Sequence, residues 1–322
     1  MSPLLFSVYV DGLLQRIKQK GIGCHIGRHF YGVSGYADDV KLLVPTLSGL
    51  RKVIRICEEY AADHNILFNG TKSKLIVFTP NGQNAENVNV FVNGDRVQQV
   101  DAAVYLGNLL SNNSNDAPIE RGIANFNRQF NSFMAHFGRL KANVKAKLFY
   151  NYCSSLYGCT LWDFTGNKIH DLYRIWRKSV RRLWYIPWQT HCWILPLLTG
   201  HLPIEYMLHK RFVKFMYNAF NSDNSSVAFI TRIATVNPMS SAGRNYRKIM
   251  YKYKCMQSDF TVRSINYMSN LINVHYKCQL TNEQKACAQA IKDILQMRDF
   301  PQPDDIFDRD ECTFILNELC VG

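Results

Sequence analysis

The sequence lacks several features that would assign it to a well-defined class of protein. No apolar run approaches the ~20 residues that a membrane span needs. The short apolar run at 4–14 has no basic leader, and it contains Asp11, so it does not resemble a secretory signal. The nucleophile elbow of serine hydrolases, the P-loop and the dinucleotide fingerprint are also missing. We therefore expect an intracellular protein of the cytoplasm or nucleus, with no membrane partner.

Zinc-binding patterns are missing as well. The chain has ten cysteines, but no two of them have CxxC spacing. Cys24, His25 and His29 lie close together, as do His191 and Cys192, yet neither group has the paired short spacings of a structural zinc site. A chain of 322 residues does not need disulfides as its main support. We expect reduced, mostly buried thiols.

Charge is present in abundance and is unevenly distributed. The net charge is +13. Residues 1–120 balance 11 basic against 11 acidic side chains, whereas residues 121–182 carry 12 basic and 2 acidic ones. Residues 183–295 are also basic, with 13 against 5, and the tail is acidic. A basic middle segment suits a polyanion such as nucleic acid, because each neutralised phosphate releases counterions. The ordinary alternative is a solvated helical surface.

The first third of the chain has mixed helical and extended patterns. Ser2 and Pro3 suit a helix start, and apolar spacing predicts a helix that ends before Gly21. A second helix is predicted over 47–64, with Ser48 as its N-cap. Residues 33–44 have the pattern of strand, tight turn and strand. Further strands are predicted at 74–79, 88–92, 96–100 and 104–107, with turns at 81–82 and 93–94.

Beyond a polar join at 111–116 the pattern becomes helical. Helices are predicted at 117–137, 142–158, 168–185, 203–221 and 282–298. Residues 221–245 are polar and rich in Pro, Ser and Asn, which predicts an exposed loop. The fold class expected is therefore α+β, with an antiparallel sheet and packed helices followed by an all-helical region.

Two adjacent carboxylates, Asp38 and Asp39, fall in the predicted turn at 36–39. A turn between strands would hold their hard oxygen ligands on a rigid base, and Mg²⁺ prefers such ligands. Two-metal sites use bound cations to activate an attacking oxygen and to neutralise the leaving one. The ordinary alternative is a polar surface turn.

The flanking sequence favours the metal site, because four segments in order resemble the reverse transcriptases of non-LTR (LINE-type) retrotransposons. Residues 2–11, SPLLFSVYVD, resemble the end of motif B and the following helix. Residues 35–39, GYADD, resemble motif C, and residues 68–78 resemble motif D. Residues 105–107, YLG, resemble motif E, the primer grip. The resemblance continues more loosely through 176–183 as a thumb.

The resemblance implies a role for each matching residue. Asp38 would ligate the catalytic Mg²⁺ ions, with Mn²⁺ as an alternative, and Asp39 would support it. Tyr36 and Ala37 would lie beside the primer terminus, and Lys72 near the incoming deoxynucleoside triphosphate. Lys74 is a nearby competitor of Lys72, which could also be a solvent-facing lysine. Tyr105, Leu106 and Gly107 would position the primer strand or, in the ordinary alternative, form a strand end.

The basic helices supply a second set of candidate binding residues. Cations recur there at helical spacing, interleaved with aromatic side chains that are expected to be mostly core. As a thumb, they would hold the backbone of an RNA template and DNA primer without reading sequence. The candidate residues are Lys141, Lys145, Arg174, Arg177, Lys178, Arg181 and Arg182.

These patterns give four expected regions and three functional alternatives. The regions are a partial palm (1–112), a basic thumb-like region (113–200), a helical C-terminal region (201–300) and an acidic tail (301–322). The first alternative is a fragment of an RNA-directed DNA polymerase. The others are a non-catalytic nucleic-acid-binding protein and a decayed retroelement product with no selected function.

The resemblance begins inside motif B, so the motif A aspartate and the fingers have no counterpart. Neither Asp11 nor Asp63 can replace that aspartate, because each is predicted to lie on or beside another helix. We expect Met1 to be an internal methionine of an ancestral reading frame. The purified 322-residue chain should then show no substantial polymerase activity, because its two-metal site would be incomplete. Templated, Mg²⁺-dependent primer extension that Asp38→Asn abolishes would contradict this expectation.

Overall fold

The computed structural model describes residues 2–79, 86–112, 115–255 and 265–297. The chain is a mixed α+β protein, as expected, and it divides into two compact units. The first comprises residues 1–103, 110–113 and 224–226, and the second comprises 104–109, 114–223 and 227–322. The predicted turn at 81–82 and the acidic tail lie outside the described residues.

Two helices frame the first unit, α1 (Ser2–Lys20) and α2 (Leu47–Asp63). Both confirm the sequence predictions, but the N-cap of α2 differs. Thr46 is extended, and its Oγ1 accepts a hydrogen bond from the backbone N–H of Gly49 at 3.1 Å. Ser48, the predicted cap, lies inside the first turn. The threonine one residue before the helix is the one whose hydroxyl reaches an otherwise unpaired N–H.

The two helices pack through a close contact between Tyr60 and α1. The Tyr60 hydroxyl donates to the carbonyl of Tyr9 at 2.7 Å. Gly12 permits this approach, because a Cβ there would lie 2.7 Å from the same hydroxyl. Leu13 and Ile17 are fully buried beside this contact. The apolar seam between the helices is therefore set by a glycine as much as by large side chains.

The strands are short and pair only two by two within the described residues. A single larger sheet, of the kind that a palm would have, is not formed among them. They are β1 (His25–Ile26), β2 (His29–Phe30), β3 (Val33–Tyr36), β4 (Asp39–Leu42), β5 (Lys74–Leu75), β6 (Phe91–Val92), β7 (Asp95–Arg96), β8 (Gln98–Gln99), β9 (Ala102–Tyr105) and β10 (Asn108–Ser111).

The predicted hairpin around Asn93 and Gly94 is confirmed, with shorter strands than expected. Both turn residues have positive φ, 51° and 85°, as a two-residue turn between β6 and β7 requires. The predicted strand at 74–79 is reduced to β5, which pairs in parallel with β8.

Apart from the hairpin residues 104–109, the second unit is built mainly from helices. They are α3 (Ala117–Phe137), α4 (Ala142–Cys153), α5 (Lys168–Trp184), α6 (Ile194–Thr199), α7 (Ile204–Phe220), α8 (Ser225–Val236, whose first two residues group with the first unit), α9 (Ser241–Tyr253), α10 (Ile265–Cys278) and α11 (Asn282–Met297), with a 3-10 turn at Cys159–Leu161. The five predicted helices are present, although α4 ends at Cys153, five residues before the predicted end. In the described part of the chain, no helix combines the length and apolar character that a membrane crossing requires.

The loop predicted at 221–245 was wrong, because α8 and the start of α9 occupy most of it. Its polar residues cap helices rather than form a loop. The Ser240 hydroxyl accepts from the backbone N–H of Gly243 at 2.9 Å at the start of α9, and Pro238 lies in the short connection between the helices. Composition alone does not separate a capped helical pair from a loop.

An aromatic cluster fixes α3 against α4. The ring of Phe149 meets Phe126 and Phe130 edge to face, at centroid distances of 6.2 and 5.8 Å. All three side chains are almost completely buried. Edge-to-face geometry matches the positive ring edge to the negative ring face, so these contacts fix orientation as well as burying area.

The eight described cysteines are free thiols, and four of them are buried. Burial raises the pKa of Cys57 and of Cys153 to about 12, which keeps both protonated and unreactive at neutral pH. Cys192 and Cys278 are exposed, so the expectation of mostly buried thiols holds for half of this set.

A buried polar clamp holds the segment after the 3-10 turn against α9. The side-chain amide of Asn245, which is fully buried, accepts from the backbone N–H of Phe164 and donates to the carbonyl of Trp162, both at 2.7 Å. Arg244 donates to the Asp163 carboxylate at 3.0 and 2.6 Å. An irregular buried segment therefore has its backbone groups satisfied by a helix side chain.

Asn245→Ala should lower the free energy of unfolding by roughly 2–4 kcal/mol, because two buried backbone groups would lose their partners. Urea unfolding followed by tryptophan fluorescence measures the loss. Asn127→Ala, which removes an exposed asparagine of α3, should change stability by less than about 0.5 kcal/mol. Equal effects of the two variants would contradict the clamp.

Candidate active site

The acidic turn lies at the tip of the hairpin that β3 and β4 form. Tyr36 pairs with Asp39 as the last ladder position, which leaves Ala37 and Asp38 as the two turn residues. Ala37 has a φ of 51°, the positive value that the first position of a two-residue hairpin turn requires. The predicted strand, tight turn and strand are confirmed.

The hairpin is supported by apolar contacts on one side. Val33 and Leu42, which pair across the strands, pack against the α1–α2 core. Gly35 lies against α1, where an added Cβ would be 3.3 Å from Leu14 Cδ1. The strands therefore point an apolar base inward and leave the turn at the surface.

Both carboxylates at the tip are exposed, and neither has a hydrogen-bond or ion-pair partner among the described residues. Two adjacent hard oxygen ligands without protein partners fit a divalent cation such as Mg²⁺. Across the described residues, no group of three or more His, Cys, Asp or Glu side chains could hold a metal ion. Asp38 and Asp39 are thus a ligand pair to which no other described residue adds a third metal ligand.

The neighbouring candidates Tyr36 and Ala37 are also at the surface, and the Tyr36 side chain is 66% exposed. A large aromatic side chain held in this way by a strand end offers an open ring face beside the carboxylates. Its position is compatible with contact to a ligand bound at the turn.

Lys72 and Lys74 differ in their surroundings. Lys74 donates to the Gln98 side chain, across the β5–β8 pair. Lys72 is exposed, and no described residue pairs with its ammonium group. Its backbone N–H donates to Asn69 Oδ1 at 2.9 Å, which fixes the turn that carries it. Lys72 is therefore the lysine that remains available to an anionic ligand.

Tyr105, Leu106 and Gly107 lie at a hairpin turn between β9 and β10. Leu106 and Gly107 have φ values of 47° and 76°, so both turn residues are left-handed. The motif predicted as a short strand is the end of a strand and the turn that follows it.

Sequence reasoning missed the residues that hold this turn. The Tyr157 hydroxyl donates to the Leu106 carbonyl at 2.9 Å, and its ring lies where a Cβ on Gly107 would be 2.8 Å away. Gly158 has a φ of 77° and approaches the Asn108 side chain closely. Tyr157 and Gly158 are far from this turn in the sequence. The glycine is the one feature of the pair that could have indicated a close approach of another segment.

The basic candidates divide into exposed and engaged groups. Arg174, Lys178 and Arg182 are exposed at intervals of four residues along α5, and Lys141 is exposed at the start of α4. Arg174 pairs with Asp171 on the same helix, and Arg182 donates to Asn131 of α3 at 3.4 Å. Arg177 is half-buried. The predicted stripe is therefore narrower than the sequence indicates.

Two of the predicted nucleic-acid-binding residues, Lys145 and Arg181, make contacts within the protein instead. Lys145 is only 1% exposed and lies 4.5 Å above the ring of Tyr185, and burial lowers its pKa to about 8. Arg181 donates to the Thr190 carbonyl at 2.7 Å, so it fixes the loop after α5. Helical spacing located these residues on basic helices but did not distinguish the inner from the outer face.

The aromatic side chains interleaved with these cations are mostly core, as expected. Phe149, Tyr173, Trp176 and Trp184 are buried, whereas Tyr152 is 60% exposed.

Searched against models of known protein families and against curated proteins, the chain gives no match. The geometry of these residues therefore carries the functional argument.

Lys145→Met should change how stability depends on pH. Because the folded pKa, about 8, lies below the ordinary 10.5, the unfolded chain binds the proton more tightly between these values. Wild-type stability should therefore rise relative to the variant from pH 8 to 10.5, by up to roughly 3 kcal/mol. Chemical unfolding across this range tests the rise. Lys147→Met, on the same helix but exposed, controls for the loss of one charge, and an identical profile for both variants would contradict the assignment.

Proposed function

We propose that the chain is the palm-and-thumb part of an RNA-directed DNA polymerase of the non-LTR retrotransposon type. The observation that carries the proposal is the acidic turn at the tip of a supported hairpin, where Asp38 and Asp39 are exposed and have no partner among the residues that the structure describes. In this function the turn contributes to a two-metal centre, and the helical unit holds the template–primer backbone. The family reaction is templated transfer of a nucleotide to a primer 3′-OH.

The donor set fits Mg²⁺, with Mn²⁺ as the alternative. Bound there, the cation would neutralise negative charge on phosphate oxygens and activate the attacking oxygen. Asp38 and Asp39 would hold it through carboxylate oxygens, and substrate phosphates would complete the ligand set. With two adjacent ligands only, binding by these residues alone is expected to be weak.

The surroundings of the turn support a site for an anionic substrate. The Lys72 ammonium group has no partner in the described part of the chain. It is a compact charge suited to a triphosphate and able to donate a proton to a leaving pyrophosphate. Tyr36 presents an exposed ring beside the carboxylates. We assign the deoxynucleoside triphosphate to Lys72 and the primer terminus to Tyr36 and Ala37.

The hairpin turn at Leu106 and Gly107 is proposed as the primer grip. A grip has to hold a strand in one position, since phosphoryl transfer depends strongly on the alignment of the reacting groups. The Tyr157 hydroxyl bond and the close contact at Gly107 give this short turn the rigidity that such a role needs.

Binding of nucleic acid without catalysis is the second candidate function. The exposed cations of α5 and the start of α4 favour it, because they require no metal. Such contacts address the phosphate backbone and carry no sequence information. Both candidate functions use this surface. They differ in whether the acidic turn binds a metal ion, so a metal-binding experiment distinguishes them.

Mg²⁺ should stabilise the wild-type protein and not the Asp38→Asn variant. At about ten times its Kd the ion would add roughly 1.4 kcal/mol to the free energy of unfolding, because it binds the folded state alone. Without Mg²⁺ the variant should lie within about 0.5 kcal/mol of wild type, because the lost carboxylate is exposed and no described residue pairs with it. Thermal unfolding across a Mg²⁺ titration measures both quantities.

Asp95→Asn is the matched control, since Asp95 is an exposed aspartate that follows the two-residue turn of another hairpin in the same unit. It should respond to Mg²⁺ as wild type does. Equal Mg²⁺ stabilisation of wild type and Asp38→Asn would remove the acidic turn as a metal site and leave the second candidate.

A further inference from the structure

The loop after α5 holds a tryptophan at the apex of a rigid turn. Both the backbone N–H and the hydroxyl of Thr190 donate to the carbonyl of Pro187, at 3.2 and 2.8 Å. The turn that they close has Trp188 and Gln189 as its central residues. Arg181 ties the turn to the helix through the Thr190 carbonyl at 2.7 Å.

Trp188 is 74% exposed, which sets it apart from the other tryptophans. Trp162, Trp176 and Trp184 are each at most 4% exposed, and Trp193 is half-buried against the core. The exposed ring contributes no burial energy to folding. Because the anchored turn already restricts its position, the ring would lose less conformational entropy on binding a ligand.

The same end of the helical unit gathers exposed cations. The hydroxyl of Tyr185, the residue that ends α5, donates to the Gly138 carbonyl at 3.3 Å. This contact brings the last turn of α5 to the loop between α3 and α4. Arg139 and Lys141 of that loop and Arg182 of α5 are all exposed.

Among the described residues, no ion pair joins a carboxylate to Arg139, Lys141 or Arg182. Residues 121–204 contain two acidic side chains, Asp163 and Asp171. Asp163 pairs with Arg244 at 2.6 Å, and Asp171 pairs with Arg174. The charge at this end is therefore available to a polyanion.

We infer that Trp188 stacks on a nucleobase of a single-stranded nucleic acid, whose phosphates contact Arg139, Lys141 and Arg182. The inference rests on the nucleic-acid binding proposed for the helical unit and specifies the form of nucleic acid. An aromatic ring among backbone-tracking cations is the arrangement by which proteins hold unpaired strands. A duplex keeps its bases stacked inside, so it offers phosphates to the cations but no free base to the ring.

Fluorescence anisotropy of the whole chain with labelled oligouridylate, and with an RNA duplex of equal charge, tests the inference. Trp188→Ala should weaken oligouridylate binding roughly five- to hundredfold, the range for loss of one stacked base, and leave duplex binding within about twofold. Trp188→Phe should restore most of the single-strand affinity. Arg182→Gln should weaken the binding of both RNAs and reduce the salt dependence of both affinities.

Intrinsic fluorescence gives an independent readout. Oligouridylate should quench the wild-type emission, and Trp188→Phe should lose that quenching, because the other four tryptophans are buried or half-buried. Tyr251→Ala, which removes an aromatic side chain that is 90% exposed on α9, is the matched control and should behave as wild type. Unchanged thermal unfolding of Trp188→Ala verifies that the turn, rather than the fold, is altered.

Three results would overturn the inference. In the first, the wild-type protein binds both RNAs and Trp188→Ala binds each of them as tightly as wild type does. This result removes the stacking role alone and leaves nucleic-acid binding intact. Wild type that binds neither RNA at low salt removes the proposed function of the helical unit as well. Binding to phosphatidylserine vesicles with a blue-shifted tryptophan emission, and to neither RNA, would assign Trp188 to a membrane surface.

Discussion

The packing of one short hairpin against α1 is the contact on which the candidate active site depends. An isolated two-stranded hairpin is marginally stable in water, and β3 and β4 pair only with each other within the described residues. Val33 and Leu42 supply the apolar base, and the missing side chain at Gly35 lets the strand approach Leu14. The positions of the two carboxylates are thus set by side chains on the opposite end and face of the hairpin.

Local rules predicted this hairpin well because the determinants are local. The polar tip is visible in consecutive residues, because Asp38 and Asp39 are residues that favour turns. The positive φ at Ala37 is not, since alanine does not favour that conformation. The buried stripe of α2 follows from helical spacing for the same reason. In contrast, the support of the second turn comes from Tyr157, some fifty positions later in the chain, and no local pattern connects it to Leu106.

The basic helices show the limit of composition more sharply. Lys145 and Lys147 are two residues apart and chemically identical, yet one is buried against Tyr185 and the other is exposed. Arg181 and Arg182 are adjacent, yet one fixes a loop while the other is exposed and donates to Asn131 of α3. The orientation of a helix is set by the tertiary packing of its neighbours, so a count of cations overestimates the binding surface.

The loop prediction for residues 221–245 was wrong for a related reason. Ser and Asn residues are common both in loops and at helix caps, so composition does not distinguish the two.

Charged side chains that form ion pairs within the protein differ in position from those that are exposed to ligands. In the helical unit Asp163 is buried and Glu205 is half-buried, and each has a cationic partner on α9, Arg244 or Lys252. In these pairs the cation lowers the pKa of the carboxyl against the opposing effect of burial. Asp38 and Asp39 in one unit, and Arg139, Lys141 and Arg182 in the other, are exposed and have no ion-pair partner in the part of the chain that the structure describes. Like charges that gather without internal partners gain little for folding, and they gain most when a ligand supplies the opposite charge. The acidic turn therefore suits a cation and the basic end a polyanion, which are the two kinds of ligand that the proposed function requires.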